Sequence, residues 1–203
     1  MGQHSFTKRQ KHYLRFKRSM DIILSGFAIL FFLPLFIIVA ILIKLTSKGP
    51  IFFIQERVGK NKKIFKIIKF RTMKVDAPEI PPNKLTKGEQ RAMLTSIGYF
   101  LRKTSIDELP QIFNIFVGHM SIIGPRPPAA KNENDIILER DKYDPSPNNL
   151  RPGLTGHAQV SGRMHEVKQK AELDGFYAKN FSFKLDFKIF FSTVKKIFKF
   201  EGS

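Results

Sequence analysis

The chain has 203 residues and a mass of 23.4 kDa, a size that suits one domain and leaves little for a second. Lys and Arg number 35 against 17 Asp and Glu, so the formal net charge of +18 points to a polyanionic partner: nucleic acid, an anionic membrane face or a phosphorylated substrate. A hydrophobic content of 42% excludes a disordered basic tail, and the lack of Cys excludes disulfides, thiolate–zinc sites and a cysteine nucleophile.

Residues 1–21 form a basic amino-terminal arm. Ile22 to Ile43 follow without a single charge. As a helix this run would be about 33 Å long, close to the roughly 30 Å hydrocarbon thickness of a bilayer. A signal peptide fits poorly, because the apolar region is too long and no small-x-small cleavage site follows. A buried soluble helix rarely lacks a polar face for six turns. The run therefore reads as a membrane segment.

Its flanks do not orient it. Lys8, Arg9, Lys11, Arg15, Lys17 and Arg18 precede it, and Lys44, Lys48, Arg57, Lys60, Lys62 and Lys63 follow it. Balanced flanks give no preferred direction of crossing. Pro34 sits in the middle, where it removes the bond to the carbonyl four residues earlier. A helix broken there could enter and leave by one face. Re-entry is the favoured expectation, and a kinked spanning helix stays open.

Residues 44–203 read as one catalytic domain associated with the membrane. Ile51–Ile54 and Ile64–Arg71 read as two strands joined by a turn at Gly59–Lys63, a β-hairpin with basic edges. Residues 76–90 carry three prolines and read as a loop. Helical patterning resumes at Arg91–Arg102 and at Asp107–Val117, where Gly118 stops it. A helix is expected over Asn132–Tyr143, then turns at 144–149 and at Arg151–Gly156. In the tail, Phe183, Phe187, Phe190, Val194 and Ile197 recur at spacings of four and three, with Lys184, Lys188, Lys195, Lys196 and Lys199 off that line. That pattern suits a basic amphipathic helix on an anionic membrane surface as well as a core helix with a solvated face, and beside the membrane segment the interface is the expectation.

Asp107-Glu108 is the adjacent acid pair that stands out in this positive chain. One reading is structural: Ser105-x-x-Glu108 is a capping box, and with Asp107 as the cap Pro110 would lose no bond. The other is phosphoryl chemistry, in which one carboxylate attacks phosphorus and a second holds Mg²⁺. Arg126, locked between prolines, would form a bidentate phosphate contact at little entropic cost, or a surface ion pair. Lys69 and Arg71 alternate onto one strand face, where they meet one anion or water. Gly-rich nucleotide-binding turns are absent, and the five histidines have no metal-ligand spacing.

Six stretches in order carry a resemblance. They are Lys17-Arg18-x-x-Asp21, Gln55-x-Arg57-x-Gly59, Lys69-Phe70-Arg71-Thr72-Met73, Ser105-Ile106-Asp107-Glu108-Leu109-Pro110-Gln111-x-x-Asn114, Met120-Ser121-x-x-Gly124-Pro125-Arg126-Pro127, and Arg151-Pro152-Gly153-x-Thr155-Gly156-x-Ala158-Gln159-Val160-x-Gly162-Arg163. With them, residues 15–200 resemble the bacterial sugar transferase family, the small monotopic phosphoglycosyl transferases. The resemblance implies an α+β fold, a re-entrant first helix with its break at Pro34, and tail helices near the interface. It implies transfer of a sugar-1-phosphate from a UDP-sugar to polyprenyl phosphate, with release of UMP, at the cytoplasmic face of a bacterial inner membrane. Asp107 takes the place of the family's nucleophile, which carries a phosphosugar adduct. Glu108 matches the second dyad residue, and the pair would hold Mg²⁺. Phosphate or substrate binding is expected of Lys69, Arg71, Arg102, Arg126 and Arg151. The expected partners are the donor, the lipid acceptor and anionic phospholipid, without nucleic acid. The chain departs from the family's habit in having Leu33 before Pro34, where Ser is frequent, and His157 where Trp is common. A membrane-tethered nucleic-acid module and a scaffolding protein are the rival readings.

Overall fold

The computed structural model describes residues 6–77, 86–162 and 166–198. Arg163 in the last motif and Lys199 in the tail lie outside them. The fold is α+β: a long first helix, a β-hairpin, several short helices, a small parallel sheet and two closing helices.

Helix α1 spans Lys8–Thr46, well beyond the apolar run. It begins inside the expected arm because Thr7 and Gln10 cap it reciprocally, the Thr7 hydroxyl accepting from the Gln10 backbone N–H and the Gln10 side-chain Oε1 from the Thr7 N–H. The chain stays helical through Pro34, so the expected break is not an interruption of the helix. The half before Pro34 places Tyr13 and Leu14 against a cluster of Ile123, Leu150, Tyr177, Phe181 and Ile189. The half after it buries Phe36, Val39 and Ile43 against Phe70, Leu101 and Ile112. Most other apolar side chains of α1 are bare, Phe31 at 78% exposure among them.

The motif Lys17-Arg18-x-x-Asp21 clamps the base of α1 to the rest of the chain. Arg18 donates to the carbonyls of Ile115 and Phe116 at 2.6 and 2.8 Å. Buried Asp21 accepts from the Ile122 N–H at 3.0 Å. Lys17 pairs with Asp186, which also accepts from the hydroxyls of Tyr13 and Tyr177.

Strands β1 (Phe52–Val58) and β2 (Ile64–Phe70) form the expected antiparallel hairpin, with Phe53 opposite Lys69, and a 3₁₀ turn over Lys60–Lys62 closes it. The single helical stretch expected over Arg91–Arg102 is two helices, α2 (Lys87–Ala92) and α3 (Gly98–Lys103). Between them the backbone pairs with residues 72–74: the Lys74 N–H donates to Met93 and the Thr95 N–H to Thr72, each at 2.9 Å. A Cβ on Gly98 would stand 2.1 Å from the Thr72 carbonyl oxygen, so only glycine permits this approach. Thr86 and Glu89 cap α2, drawing the end of the expected loop into a helix. α4 (Gln111–Val117) ends at Gly118, whose φ of 95° gives the left-handed stop the sequence signals.

Two further strands were not expected, one of them in the stretch at Arg151–Gly156 that reads as a turn. β3 (Ser121–Ile123) and β4 (Gly153–Thr155) pair in parallel. A Cβ on Gly153 would lie 2.1 Å from the Gly124 nitrogen, so the Gly-Pro-Arg-Pro and Arg-Pro-Gly motifs dock backbone to backbone. Helix α5 (Asn134–Asp141) is shorter than expected, and α6 (His157–Val160) is a single turn. α7 (Val167–Asn180) and α8 (Phe183–Phe198) close the fold. Asp186 and Ile189 of α8 face inward, while Phe183, Phe187, Phe190 and Phe191 are 45–63% exposed. The phenylalanine line is therefore not the core face.

Candidate active site

Asp107 and Glu108 lie on a 3₁₀ turn over Ile106–Glu108 that leads through Leu109 and Pro110 into α4. Ser105 enters it with φ 56° and ψ 17°, a left-handed conformation that costs a non-glycine residue about 1–2 kcal/mol. The expected capping box is not formed. Ser105 makes no side-chain cap, the residue capping α4 is Pro110, and neither acid is the cap of either helix, although both lie in the first turn of the 3₁₀ segment. The capping box therefore does not account for the acid pair.

Lys69, at the end of β2, instead pairs with Glu108. Burial pushes the Glu108 carboxyl up, but Lys69, Arg126 and Arg57 outweigh it and hold the group below its ordinary value. Asp107 is 9% exposed, and burial followed by the neighbouring Glu108 charge raises its carboxyl to about 6, against the pull of Lys69 and Arg102. One turn thus carries a carboxylate held ionised and another that titrates near the physiological range, a difference in environment suited to catalysis.

The cations are themselves held in place. Arg102 donates its Nε–H to the Thr72 hydroxyl at 3.0 Å. Arg126 is exposed although Pro125, Pro127 and Pro128 around it are buried. Its carbonyl accepts from Arg140 at 2.9 Å, and Arg140 is locked against Asp174 in a buried ion pair. Arg57 was missing from the expected site. It donates to the Pro127 carbonyl at 3.1 Å and to Gln55 at 2.7 and 3.0 Å, tying the hairpin to the Arg126 loop. Alternation along β1 puts Gln55 and Arg57 on one face, a signal that could have found it.

Two expected phosphate ligands lie elsewhere. Arg71 does not share a strand face with Lys69, because β2 ends at Phe70. It is buried and donates to the Ser47 and Lys48 carbonyls and the Ser47 hydroxyl, closing the end of α1. Arg151 donates to the Gly118 carbonyl at 2.9 Å and lines a different cavity beside Lys17 and Lys60.

A divalent cation suits what remains at the dyad. Asp107 forms no ion pair among the described residues, and hard carboxylate oxygens match Mg²⁺, which takes one or two carboxylates and fills its shell with water and substrate phosphates. No group of three or more acidic or histidine side chains that would make an all-protein cage occurs among the described residues.

The family model described as Bacterial sugar transferase matches residues 12–200. The chain belongs to that family. Among its relatives is a UDP-N-acetylgalactosamine-undecaprenyl-phosphate N-acetylgalactosaminephosphotransferase of Aeromonas hydrophila, 40% identical over 91% of this chain and 44% of that protein. A UDP-glucose:undecaprenyl-phosphate glucose-1-phosphate transferase of Klebsiella pneumoniae is 38% identical over 90% of this chain and 40% of its own length. The exopolysaccharide production protein PSS of Rhizobium leguminosarum bv. phaseoli is 39% identical over 88% of this chain and 92% of its length. This sugar transferase chain thus spans less than half of the first two relatives and nearly all of the third.

Proposed function

We propose that the protein is a phosphoglycosyl transferase that moves a sugar-1-phosphate from a UDP-sugar to a polyprenyl phosphate and releases UMP. The observation that carries this reading is the Asp107–Glu108 turn, whose carboxylates cap no helix and stand among Lys69, Arg57, Arg102 and Arg126. These cations neutralise a diphosphate and make its phosphorus attackable. The relatives are named for UDP-sugar and undecaprenyl-phosphate chemistry, which supports the same donor and acceptor classes here.

In the first step an ionised Asp107 oxygen bonds to the sugar-bearing phosphorus, and the bond from that phosphorus to the UMP oxygen breaks. UMP leaves with the electron pair. In the second step an oxygen of the polyprenyl phosphate attacks the same phosphorus and the Asp107 carboxylate departs, giving a polyprenyl diphosphate sugar. Mg²⁺ held by Asp107 and Glu108 would supply charge neutralisation at the diphosphate. Arg126, stiffened by its prolines, orients phosphate oxygens, and the Lys69 pair keeps Glu108 ionised.

The protein acts at a membrane, and its first helix re-enters. Both halves of α1 pack on the same folded unit, through Tyr13 and Leu14 on one side of Pro34 and Phe36, Val39 and Ile43 on the other, which supports entry and exit by one face. Cationic residues on both flanks support the cytoplasmic face of a bacterial inner membrane. The exposed phenylalanines of α8 add a second apolar surface for that bilayer.

Incubating the full chain with Mg²⁺, undecaprenyl phosphate and a panel of UDP-sugars tests the reading. UMP is expected from at least one donor and is lost in Asp107→Asn. Silence across the panel, or full activity in that variant, would contradict it.

A further inference from the structure

A second basic cavity lies apart from the dyad. It is about 30 Å³ in volume and lined by Lys17 and Asp21 of α1, Lys60 of the hairpin turn, Ser121 of β3, Arg151, and Tyr177 of α7 among others. None of the cations acting on Asp107 or Glu108 contributes to it. At about 10–15 Å³ per water in this measure, the space takes two or three waters, or one phosphate group.

Its charges are not balanced from within. Lys17 is spent on Asp186, and Asp21 is engaged by the Ile122 N–H. The Lys60 ammonium has no hydrogen-bond or ion-pair partner among the described residues, and the Arg151 guanidinium uses only its Nε–H, on the Gly118 carbonyl. The two cations repel: burial and the adjacent Arg151 hold the Lys60 ammonium below its ordinary value. The buried Ser121 hydroxyl faces Asp21 but completes no well-formed hydrogen bond. A buried hydroxyl left without a partner is costly, whereas the Lys60 and Arg151 donors still reach water.

We propose that this cavity is a second anion site, which binds one phosphate group through Lys60, Arg151 and the Ser121 hydroxyl. A tetrahedral oxyanion offers acceptors to all three donors and relieves the Lys60–Arg151 repulsion. Asp21 immediately precedes the apolar run, so the cavity sits where a lipid headgroup phosphate would meet the chain, and a free phosphate would satisfy the same donors. The site would tie occupancy to the base of α1, because Lys17 and Asp21, which line it, hold α1 to α8 and β3.

Amide hydrogen exchange of the full chain in bilayer discs tests this and does not depend on transferase activity. The discs are phosphatidylcholine alone, phosphatidylcholine with millimolar inorganic phosphate, and phosphatidylcholine mixed with phosphatidylglycerol. Slower exchange at residues 121–123 and 149–151 is expected. Protection by inorganic phosphate marks a free anion, and protection only by phosphatidylglycerol marks a lipid headgroup; either supports the site. Lys60→Gln, a change at an exposed side chain, should weaken the protecting ligand about tenfold, as loss of one charge-assisted bond implies. Arg151→Gln should do the same, and the charge-matched Lys63→Gln should not. No protection in any disc, or equal behaviour of Lys60→Gln and Lys63→Gln, would overturn the proposal.

Discussion

Lys69 is bonded to Glu108, while Asp107, the next residue along the same turn, has no ion-pair partner among the described residues. One cation thus settles the ionisation of one carboxylate and only shades the other. Asp107, raised to about 6 by its protein surroundings, must be ionised to attack, so the rate of UMP release is expected to climb with pH up to about 6 and level above it, with the midpoint falling as Mg²⁺ fills the site. Lys69→Gln removes a positive charge that lowers this value. The midpoint should move upward by about one pH unit, with activity lost more at pH 7 than at pH 9. A pH–rate profile of both proteins checks it.

The same burial predicts a stability gain on removing the nucleophile. The Asp107 carboxyl is higher in the folded protein than its ordinary 3.8, so its ionisation opposes folding. The penalty is absent below about pH 4, grows between about 4 and 6, and is complete above. Asp107→Asn should therefore stabilise the protein by about 1–3 kcal/mol at pH 7.5 and by almost nothing at pH 4. Denaturant titrations at the two pH values measure it. A helix-capping aspartate would give the opposite sign.

The Arg126 loop separates binding from folding. Arg126→Lys keeps the charge of an exposed side chain but loses the bidentate fork, so the donor KM should rise about tenfold with stability unchanged. Asp174→Asn leaves Arg140 buried without its counter-charge and should cost about 3–5 kcal/mol. Steady-state kinetics and thermal unfolding of the two variants should diverge in that way.

The sequence carried the hairpin plainly, because alternation in β1 and β2 and the turn at Gly59 are local signals. It could not carry the break between α2 and α3, which arises from pairing of Met93 and Thr95 with residues about twenty positions earlier. β3 and β4 are three residues each with Gly and Pro beside them, too short to give a strand signal of their own, and the β4 stretch reads as a turn until the two are seen side by side. The acid pair was conspicuous in so basic a chain, but whether it capped a helix depended on Ser105 adopting a left-handed backbone. Strand alternation likewise joined Arg71 to Lys69, and the end of β2 at Phe70 separated them.

Topology is open to a direct test, since the chain has no native thiol. Single cysteines at Arg9 and Lys63, both exposed and on opposite sides of the apolar run, should react with an impermeant reagent from the same membrane face. Labelling from opposite faces would require a spanning helix.

The most direct measurement of the two-step mechanism is a single-turnover experiment without acceptor. Full-length protein, Mg²⁺ and the accepted UDP-sugar are mixed in the absence of polyprenyl phosphate, and UMP and intact protein mass are followed together. The expected result is a burst of about one UMP per protein with a matching sugar-phosphate mass gain, neither of which occurs in Asp107→Asn. UMP that forms only when the lipid acceptor is present, with no mass gain on the protein, would contradict the covalent role of Asp107.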